Sequence, residues 1–135
     1  MPAFEETAVC RAPAEEVWKL LHDPARFPEW WAGVERVDVS GDGVARYMEE
    51  WPDFAYPTRI SESLEGGRVT VSCLLSDISH NWALSPAESG CRVEVRVEVP
   101  DAEAGRMEAA REEMRASIPR LVAAAERAVG LDSGP

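Results

Sequence analysis

Alternating hydrophobic and polar residues predict that much of this chain is strand. The clearest alternation runs over residues 92–99, where a valine at every second position is separated by arginine or glutamate. A period of two with one charged face is typical of an antiparallel strand with one face in water. Weaker alternation between turn-forming residues predicts six further strands, over 3–11, 34–40, 44–51, 58–64, 68–76 and 80–85. The segment 51–57, bracketed by two prolines, is predicted to be a loop.

Two short helices are predicted directly after the first strand. Pro13 suits the first position of a helix over 13–22, because that position needs no backbone N–H. The Asp23-Pro24 pair repeats this signal, with Asp23 as the cap of a second helix over 24–31.

A long helix is predicted over about 101–129, with Asp101 as its cap and Gly130 as its stop. Its apolar positions recur in steps of three and four, as expected for a helix with one buried face. These positions are Ala104, Met107, Ala110, Met114, Ile118, Leu121, Ala125 and Ala128. Pro119 predicts a kink, because proline removes a backbone hydrogen bond and crowds the carbonyl of Arg115.

This order of elements predicts an α+β fold. A curved, seven-stranded antiparallel sheet wraps around the long C-terminal helix, and the two short helices follow strand 1. One amphipathic helix has to cover the single apolar face of the sheet. The inner face of that helix is rich in alanine and methionine, which are small or flexible and leave room against a curved sheet. The pattern therefore favours a cavity between sheet and helix.

Composition restricts the class of protein. At 135 residues, of which 45% are hydrophobic, the chain is long enough for one globular domain over 1–135. A net charge of −11 argues against nucleic acid and anionic lipid surfaces as partners, since both attract clustered Lys and Arg. No apolar run reaches the roughly 18–20 residues of a membrane span, and no secretory signal is visible. A cytoplasmic protein without stable membrane association is therefore expected.

The cysteines and histidines do not predict a metal site. Cys10, Cys73 and Cys91 each fall on a predicted strand in phase with apolar neighbours, which favours reduced thiols in the core. The two histidines, His22 and His80, lack the spacing of metal ligands. No metal and no cofactor is expected.

His80 is the first candidate for chemistry. It shares a strand phase with Trp82 and Leu84, so we expect it to point into the cavity. A histidine whose pKa stays near neutrality can act as an acid or a base. The alternative, which we favour, is a hydrogen-bonded histidine at the cavity rim. His22, at the end of the first helix, suits a structural role there.

Arg46 is the second candidate, and its orientation depends on the hairpin loop at 41–43. A loop of two or four residues turns Arg46 toward the core, whereas a loop of three turns Tyr47 inward and leaves Arg46 on the surface. The surface position is at least as well supported by the sequence. An inward Arg46 needs a partner, because an unpaired buried charge is very costly. Glu6, Glu35, or a carboxylate or enolate of a ligand are the candidates.

Aromatic and acidic pairs complete the expectations from the residues themselves. Trp30 and Trp31 occupy adjacent helical positions, which cannot face the same way, so one is expected in the core and the other at the cavity rim. The glutamate pairs at 49–50 and 112–113 are expected at the solvated surface.

Several motifs along the chain resemble those of one family. They are Ala-Pro-x-Glu-x-Val-Trp at 12–18, Asp23-Pro24 followed by Phe27-Pro28-Glu29-Trp30-Trp31, Trp82-x-Leu84, and the strand entry Gly90-Cys91-Arg92-Val93. With the long terminal helix, they resemble the START/Bet v 1-like (SRPBCC) superfamily and, within it, the polyketide cyclase/dehydrase-type branch. The resemblance implies a helix-grip fold over essentially the whole chain, with a ligand between the sheet and the last helix. It transfers no catalytic residue, because the family has no invariant catalytic motif.

Three hypotheses about function follow. The first is a protein that binds a small hydrophobic ligand, such as a lipid, isoprenoid or aromatic polyketide. Its expected ligand-binding residues are Trp30, Leu75, His80, Trp82, Met107, Met114 and Ile118. The second is a polyketide aromatase/cyclase or dehydratase that uses the same cavity, with His80, Arg46 and Tyr47 as candidate catalytic groups. The third is a module that binds a protein partner, and a monomer or homodimer is expected in each case.

Overall fold

Seven strands form one antiparallel sheet beside a long C-terminal helix within residues 2–41, 43–63 and 67–131, which the computed structural model describes. The strands are β1 (Ala3–Cys10), β2 (Val34–Ser40), β3 (Gly43–Met48), β4 (Trp51–Ser63), β5 (Arg68–Cys73), β6 (Ser79–Ala87) and β7 (Gly90–Glu98). The helices are α1 (Ala14–His22), α2 (Phe27–Trp30) and α3 (Met107–Ala128), with 3₁₀ segments at Pro24–Arg26 and Asp101–Arg106. Across the sheet the order is β1-β7-β6-β5-β4-β3-β2. The predicted α+β helix-grip fold is confirmed.

The core is built around β7, and the alternation that predicted this strand is confirmed. Val93, Val95 and Val97 are buried, whereas the arginine and glutamate residues between them lie at the surface. The strand pairs with β1 on one side and with β6 on the other, where Val95 lies opposite the buried Trp82. Each such buried apolar side chain stabilises the fold by about 1.5–3 kcal/mol.

Helices α1 and α2 connect β1 to β2 and bury an aromatic cluster. The Asp23 carboxylate accepts a hydrogen bond from the Ala25 N–H at 3.1 Å, which confirms the predicted cap. Trp30 Nε1 donates to the Leu20 carbonyl at 2.9 Å and holds the two helices together. Trp30 and Trp31 are both buried, so the expectation that one lies at the rim was wrong. The chain leaves helical geometry at Trp31 (φ −85°, ψ 107°), which frees the two rings from helical spacing and lets them stack at 5.4 Å.

Strand β4 is longer than predicted, because the segment 51–57 is a strand rather than a loop. Its first half pairs with β3, whereas pairing with β5 begins only at Thr58. Before Thr58 the described residues form no ladder with β5, although the Leu74 N–H donates to the Pro57 carbonyl at 2.9 Å. Proline is tolerated at such an edge because no second strand needs its missing N–H. Asp42 of the predicted hairpin and Leu64 at the predicted end of this strand lie outside the described residues.

Strand β5 ends at Cys73, before the predicted end at residue 76. The chain turns at once, because the Asp77 N–H donates to the Cys73 carbonyl at 2.9 Å and Asp77 takes a left-handed φ of 60°. Leu75, expected to bind the ligand, therefore lies in the turn and is 59% exposed. Leu75 continues the apolar alternation of the strand, so periodicity alone extends the prediction past the turn.

Helix α3 is continuous through Pro119, the position at which the sequence predicts a kink. The backbone departs from helical geometry earlier, at Glu103 (φ −111°, ψ 16°) in the preceding 3₁₀ segment. Pro119 is exposed, where its ring displaces no core side chain. Gly130 takes a φ of 79° just past the helix, as its predicted role requires. No helix within the described residues has the length and apolar character needed to cross a membrane.

Gly90 marks a close approach of two backbone segments at the start of β7. A Cβ added at Gly90 meets the carbonyl oxygens of Cys10 and Ala12, the latter at 2.7 Å, so the end of β1 has to move. We expect Gly90→Ala to lower the free energy of unfolding by about 3 kcal/mol or more, measured by urea denaturation. Gly105→Ala is the matched control, because nothing lies within 4 Å of its added Cβ, and a change within about 0.5 kcal/mol is expected. Equal stability of the two variants would contradict the close approach.

Candidate functional site

A cavity of about 430 Å³ opens between the sheet and the first turns of α3. Its strand side carries Arg46, Cys73 and His80, and its helix side carries Ala110 and Glu113. The volume falls within the range of sites that bind drug-sized molecules. The cavity lies where the sequence pattern favours one, between the sheet and the C-terminal helix.

A second hollow, of about 570 Å³, lies on the outer face of the sheet. Several of its polar side chains already bind one another. Arg96 donates to Glu5 at 3.0 Å, and Thr70 donates to Asn81 at 3.1 Å. Because these groups are satisfied within the protein, the first cavity is the better candidate for a ligand site.

Arg46 points inward because the hairpin between β2 and β3 has a two-residue loop. Ser40 pairs with Gly43, and this register turns Arg46 toward the core, where only 6% of the residue is exposed. Of the two orientations that the sequence allows, the inward one is confirmed. Tyr47 faces the other side of the sheet, where the Arg36 guanidinium carbon lies 3.6 Å from its ring centroid. The structure therefore does not bring Tyr47 to the cavity.

The buried guanidinium of Arg46 has two close contacts and one charged neighbour. Its Nε donates to Thr58 Oγ1 at 3.1 Å, and its central carbon lies 4.5 Å from the centroid of the Trp31 ring. Burial lowers the pKa of Arg46, while the negative charge of Glu113 acts in the opposite direction.

Neither carboxylate expected beside Arg46 lies there. Glu6 lies on β1, which four strands of the sheet separate from β3 and Arg46. It accepts a hydrogen bond from Arg115 of α3 at 3.2 Å instead. Glu35 is exposed, and the pairing of β2 is irregular at this position. The carboxylate near Arg46 comes from α3, which the strand pattern could not reveal.

Glu113 is the functional candidate that sequence reasoning missed. The charged pattern of α3 predicts a solvated side chain, but Trp31 Nε1 donates to Glu113 Oε1 at 2.5 Å and the residue lines the cavity. Burial raises the pKa of Glu113, although the Trp31 hydrogen bond and the Arg46 charge oppose this effect, and Glu50 adds to it. Glu113 lies three residues after Ala110, at the edge of the apolar stripe, and this spacing is the signal that could have identified it.

His80 points into the cavity, as predicted, and is 5% exposed. Neither ring nitrogen has a hydrogen-bond partner in the described part of the chain, so it is not the hydrogen-bonded rim residue that we favoured. Its ring lies 4.9 Å from the Trp31 ring, at 69° to it. Burial and the positive charge of Arg46 lower its pKa to about 3, although the Val71 backbone acts in the opposite direction, and this value is far from the near-neutral one that acid–base chemistry favours. The imidazole is therefore neutral at physiological pH.

Most residues expected to bind the ligand lie in the core and not at the cavity wall. Those in the core cluster or packed against it are Trp30, Trp82, Met107, Met114 and Ile118. His80 is the one member of the expected set that lines the cavity in the described chain. The alternation of a strand or the stripe of a helix identifies inward side chains, but it does not show which of them meet empty space.

The three cysteines are reduced, as predicted, but they have different surroundings. Cys10 and Cys91 face each other across β1 and β7 and are fully buried in the core. Cys73 lies at the cavity wall. Among residues 2–41, 43–63 and 67–131, no three His, Cys, Asp or Glu side chains are grouped so that they could hold a metal ion.

A protein-family model described as polyketide cyclase / dehydrase and lipid transport matches residues 1–126 of the chain. No curated protein matches the sequence.

Solved structures share this fold. BexL, a di-domain ARO/CYC from the BE-7585A biosynthetic pathway, matches with a TM-score of 0.80 at 18% identity, over 96% of this chain and 48% of BexL. StfQ, a di-domain ARO/CYC from the steffimycin biosynthetic pathway, matches with a TM-score of 0.70 at 14% identity, over 96% of this chain and 52% of StfQ. A protein from Thermobifida fusca matches with a TM-score of 0.74 at 15% identity, over 99% of both chains. The chain thus spans about half the length of the two di-domain proteins, and at these identities the likeness shows the fold alone.

The buried imidazole of His80 predicts a pH dependence of stability. Its pKa in the folded protein, about 3, lies below the ordinary value of 6.5, so the unfolded chain binds a proton that the folded protein excludes. The free energy of unfolding therefore decreases as the pH falls from about 6.5 toward 3, with a slope approaching 1.4 kcal/mol per pH unit. We expect His80→Phe to flatten the slope between pH 6.5 and 4.5, measured by urea denaturation.

His22→Gln is the matched control for this experiment. His22 lies outside the cavity, with its Nδ1 3.4 Å from a Glu62 carboxylate oxygen and both side chains partly exposed. This variant should keep the slope of the wild type. If His80→Phe also keeps it, the imidazole takes up its proton in the folded protein and the burial argument fails.

Proposed function

Because the chain belongs to the polyketide cyclase/dehydrase and lipid transport family, we propose that its cavity binds one small, mainly apolar molecule through an oxygen-bearing end group. The observation that carries this proposal is that Arg46 and His80 both line the inner wall of the cavity. Arg46 makes no direct ion pair in the part of the chain that the structure describes, and both ring nitrogens of His80 are without partners there. Buried polar groups are normally hydrogen-bonded, so both residues suit a ligand that supplies the missing atoms.

The walls around this pair restrict the ligand further. Met48, Tyr56 and Ile78 provide apolar surface beside it, and the volume of about 430 Å³ admits a drug-sized molecule. Arg46 uses one N–H on Thr58, which leaves about four N–H donors for a ketone, enolate or carboxylate oxygen. An aromatic polyketide, or a lipid or isoprenoid with an oxygen at one end, satisfies these conditions.

Exposed apolar side chains beside the cavity support ligand entry at this end of the molecule. Trp51 lines the cavity and is 62% exposed. Phe54 is also exposed, and its ring centroid lies 4.8 Å from that of Tyr56. Such a patch also suits a module that binds a protein partner. Because these side chains adjoin the cavity itself, we place ligand entry before partner binding.

A second candidate function is cyclase or dehydratase chemistry on a poly-β-keto chain, favoured by the protonation states at the wall. A neutral His80 can accept a proton from the carbon between two ketones, and Arg46 can stabilise the resulting enolate. Glu113, whose pKa is raised by burial, suits proton donation to a leaving hydroxyl. BexL and StfQ, as ARO/CYC proteins on this fold, support the alternative. However, an imidazole with a pKa of about 3 is a weak base, so we place binding first.

Removing the charge of Arg46 separates recognition of the end group from apolar binding. Two fluorescent probes of similar shape serve here: anionic 8-anilinonaphthalene-1-sulfonate and neutral N-phenyl-1-naphthylamine. We expect Arg46→Met to weaken binding of the anionic probe by about tenfold or more, because hydrogen bonds to a charged group are lost. The affinity for the neutral probe should change by less than about threefold, and fluorescence titration measures both.

Arg36→Met is the matched control, because Arg36 also lies over an aromatic ring but on the outer face of the sheet. Its affinities for both probes should equal those of the wild type. Equal losses for both probes in Arg46→Met, with an unchanged urea midpoint, would contradict a role for the charge. Failure of both probes to bind the wild type would contradict the cavity proposal.

Proton exchange in a β-keto amide tests the enzymatic alternative. Acetoacetanilide exchanges the protons between its two carbonyls with D₂O, and NMR follows the loss of their signal. If His80 takes these protons, the wild type accelerates exchange and His80→Phe removes about 100-fold of the acceleration. Glu112→Gln, at the exposed neighbour of Glu113, controls for a changed charge on α3 and should exchange at the wild-type rate. A wild type that gives no acceleration would rule out this role for His80.

A further inference from the structure

Cys73 is a cavity residue that the proposed function leaves unused. It is the last residue of β5, lines the cavity and is 5% exposed. The sheet register sets it opposite Thr58, whose hydroxyl binds Arg46 Nε at 3.1 Å. The thiol therefore belongs to the same polar region of the wall as the buried guanidinium.

The turn after β5 brings Ser76 and the backbone of Leu75 and Ser76 next to Cys73. The left-handed Asp77 closes this turn, and its N–H donates to the Cys73 carbonyl at 2.9 Å. The Ser76 hydroxyl and the backbone N–H groups of Leu75 and Ser76 act on the sulfur and favour its thiolate. Thiolates that are stabilised in this way are the reactive form of cysteine.

The electrostatic surroundings of Cys73 differ from those of the other two cysteines. Burial disfavours its thiolate, but the donors of Ser76 and the turn, together with the Arg46 charge, outweigh burial and lower the Cys73 pKa. Burial instead raises the pKa of Cys10, and it raises that of Cys91 to about 11. One thiol of the three is therefore suited to nucleophilic chemistry.

An independent observation places a ligand next to this thiol. His80 lines the same cavity, is almost wholly buried, and has no hydrogen-bond partner for either ring nitrogen within the described residues. On the neighbouring strand it lies opposite Val71, which shares its face of β5 with Cys73. Diagonal neighbours on adjacent antiparallel strands lie roughly 7–8 Å apart. A small ligand that binds His80 is therefore within reach of the Cys73 sulfur.

We propose that Cys73 is a covalent attachment site for a cavity ligand that carries an α,β-unsaturated ketone, with Arg46 holding the ketone oxygen. The proposal rests on the proposed function, because the enone has to occupy the same cavity. The ketone supplies the oxygen-bearing end group. The conjugated double bond supplies an electrophilic carbon a short distance from that oxygen, which suits a wall where Arg46 and Cys73 both neighbour Thr58.

The reaction balances without a further reactant. The thiol releases its proton to water, and the sulfur attacks the β-carbon, so that a C–S bond forms as the C=C π bond breaks. The electron pair moves to the ketone oxygen, and the enolate lies beside the Arg46 guanidinium. Water then protonates the α-carbon. The net change is the addition of S–H across the double bond, and its reversal releases the ligand.

The probe 2-cyclohexen-1-one tests this site on the native wild-type protein at pH 7. Intact mass measurement and peptide mapping should show one adduct, on Cys73, formed about tenfold faster or more than the adduct of N-acetylcysteine. Cys10 and Cys91 are controls within the same molecule and should stay unmodified. Prior saturation with 8-anilinonaphthalene-1-sulfonate should protect Cys73.

Two variants sharpen the test. Cys73→Ser should give no adduct, and Arg46→Gln should react about tenfold more slowly, because thiolate and enolate both lose their cationic neighbour. Adducts spread over the three cysteines, or a rate no greater than that of N-acetylcysteine, would overturn the proposal. Binding of 8-anilinonaphthalene-1-sulfonate separates two kinds of failure. If the probe binds but the enone does not react, only the covalent site is wrong, whereas failure of both in the wild type also overturns the proposed function.

Discussion

The indole of Trp31 joins parts of the cavity that lie far apart in the sequence. Its Nε1 binds Glu113 of α3 at 2.5 Å, and its ring contacts Arg46 of β3 and His80 of β6. On another side it stacks against Trp30. A large, rigid ring with one polar edge can meet a cation, an imidazole and a carboxylate at the same time. One side chain therefore links the polar wall of the sheet to α3.

This arrangement places a cation over the face of one ring and a carboxylate at its Nε1 edge, without a direct ion pair between them in the described residues. A direct buried pair would satisfy Arg46 within the protein and leave fewer N–H groups for a ligand. Here Arg46 keeps those donors, while Glu113 still offsets its charge from α3. Burial also moves the two titrating neighbours toward their neutral forms, since it raises the Glu113 pKa and lowers that of His80. The wall is consequently less charged than its residues suggest.

The fold was largely predictable, because strand and helix periods cover most of the chain and Gly, Pro and Asp mark many of its turns. Local pattern failed where a neighbouring strand decided the outcome, as in the segment 51–57, which pairs with β3 despite its prolines. At the site, the phase of His80 was predictable from two apolar neighbours, but its pKa depends on burial and on Arg46, which come from tertiary structure. Glu113 was missed because Trp31 lies far away in sequence.

The two-residue loop between β2 and β3 has an evolutionary consequence. Side chains alternate between the faces of a strand, so whether the loop length is odd or even decides if Arg46 or Tyr47 faces the cavity. A single inserted codon in the loop would exchange a guanidinium for a phenol at the wall without substituting any strand residue. Surface loop tips are also where insertions are best tolerated. Lineages with this fold could therefore diverge in cavity chemistry through the length of one hairpin, with every strand residue conserved.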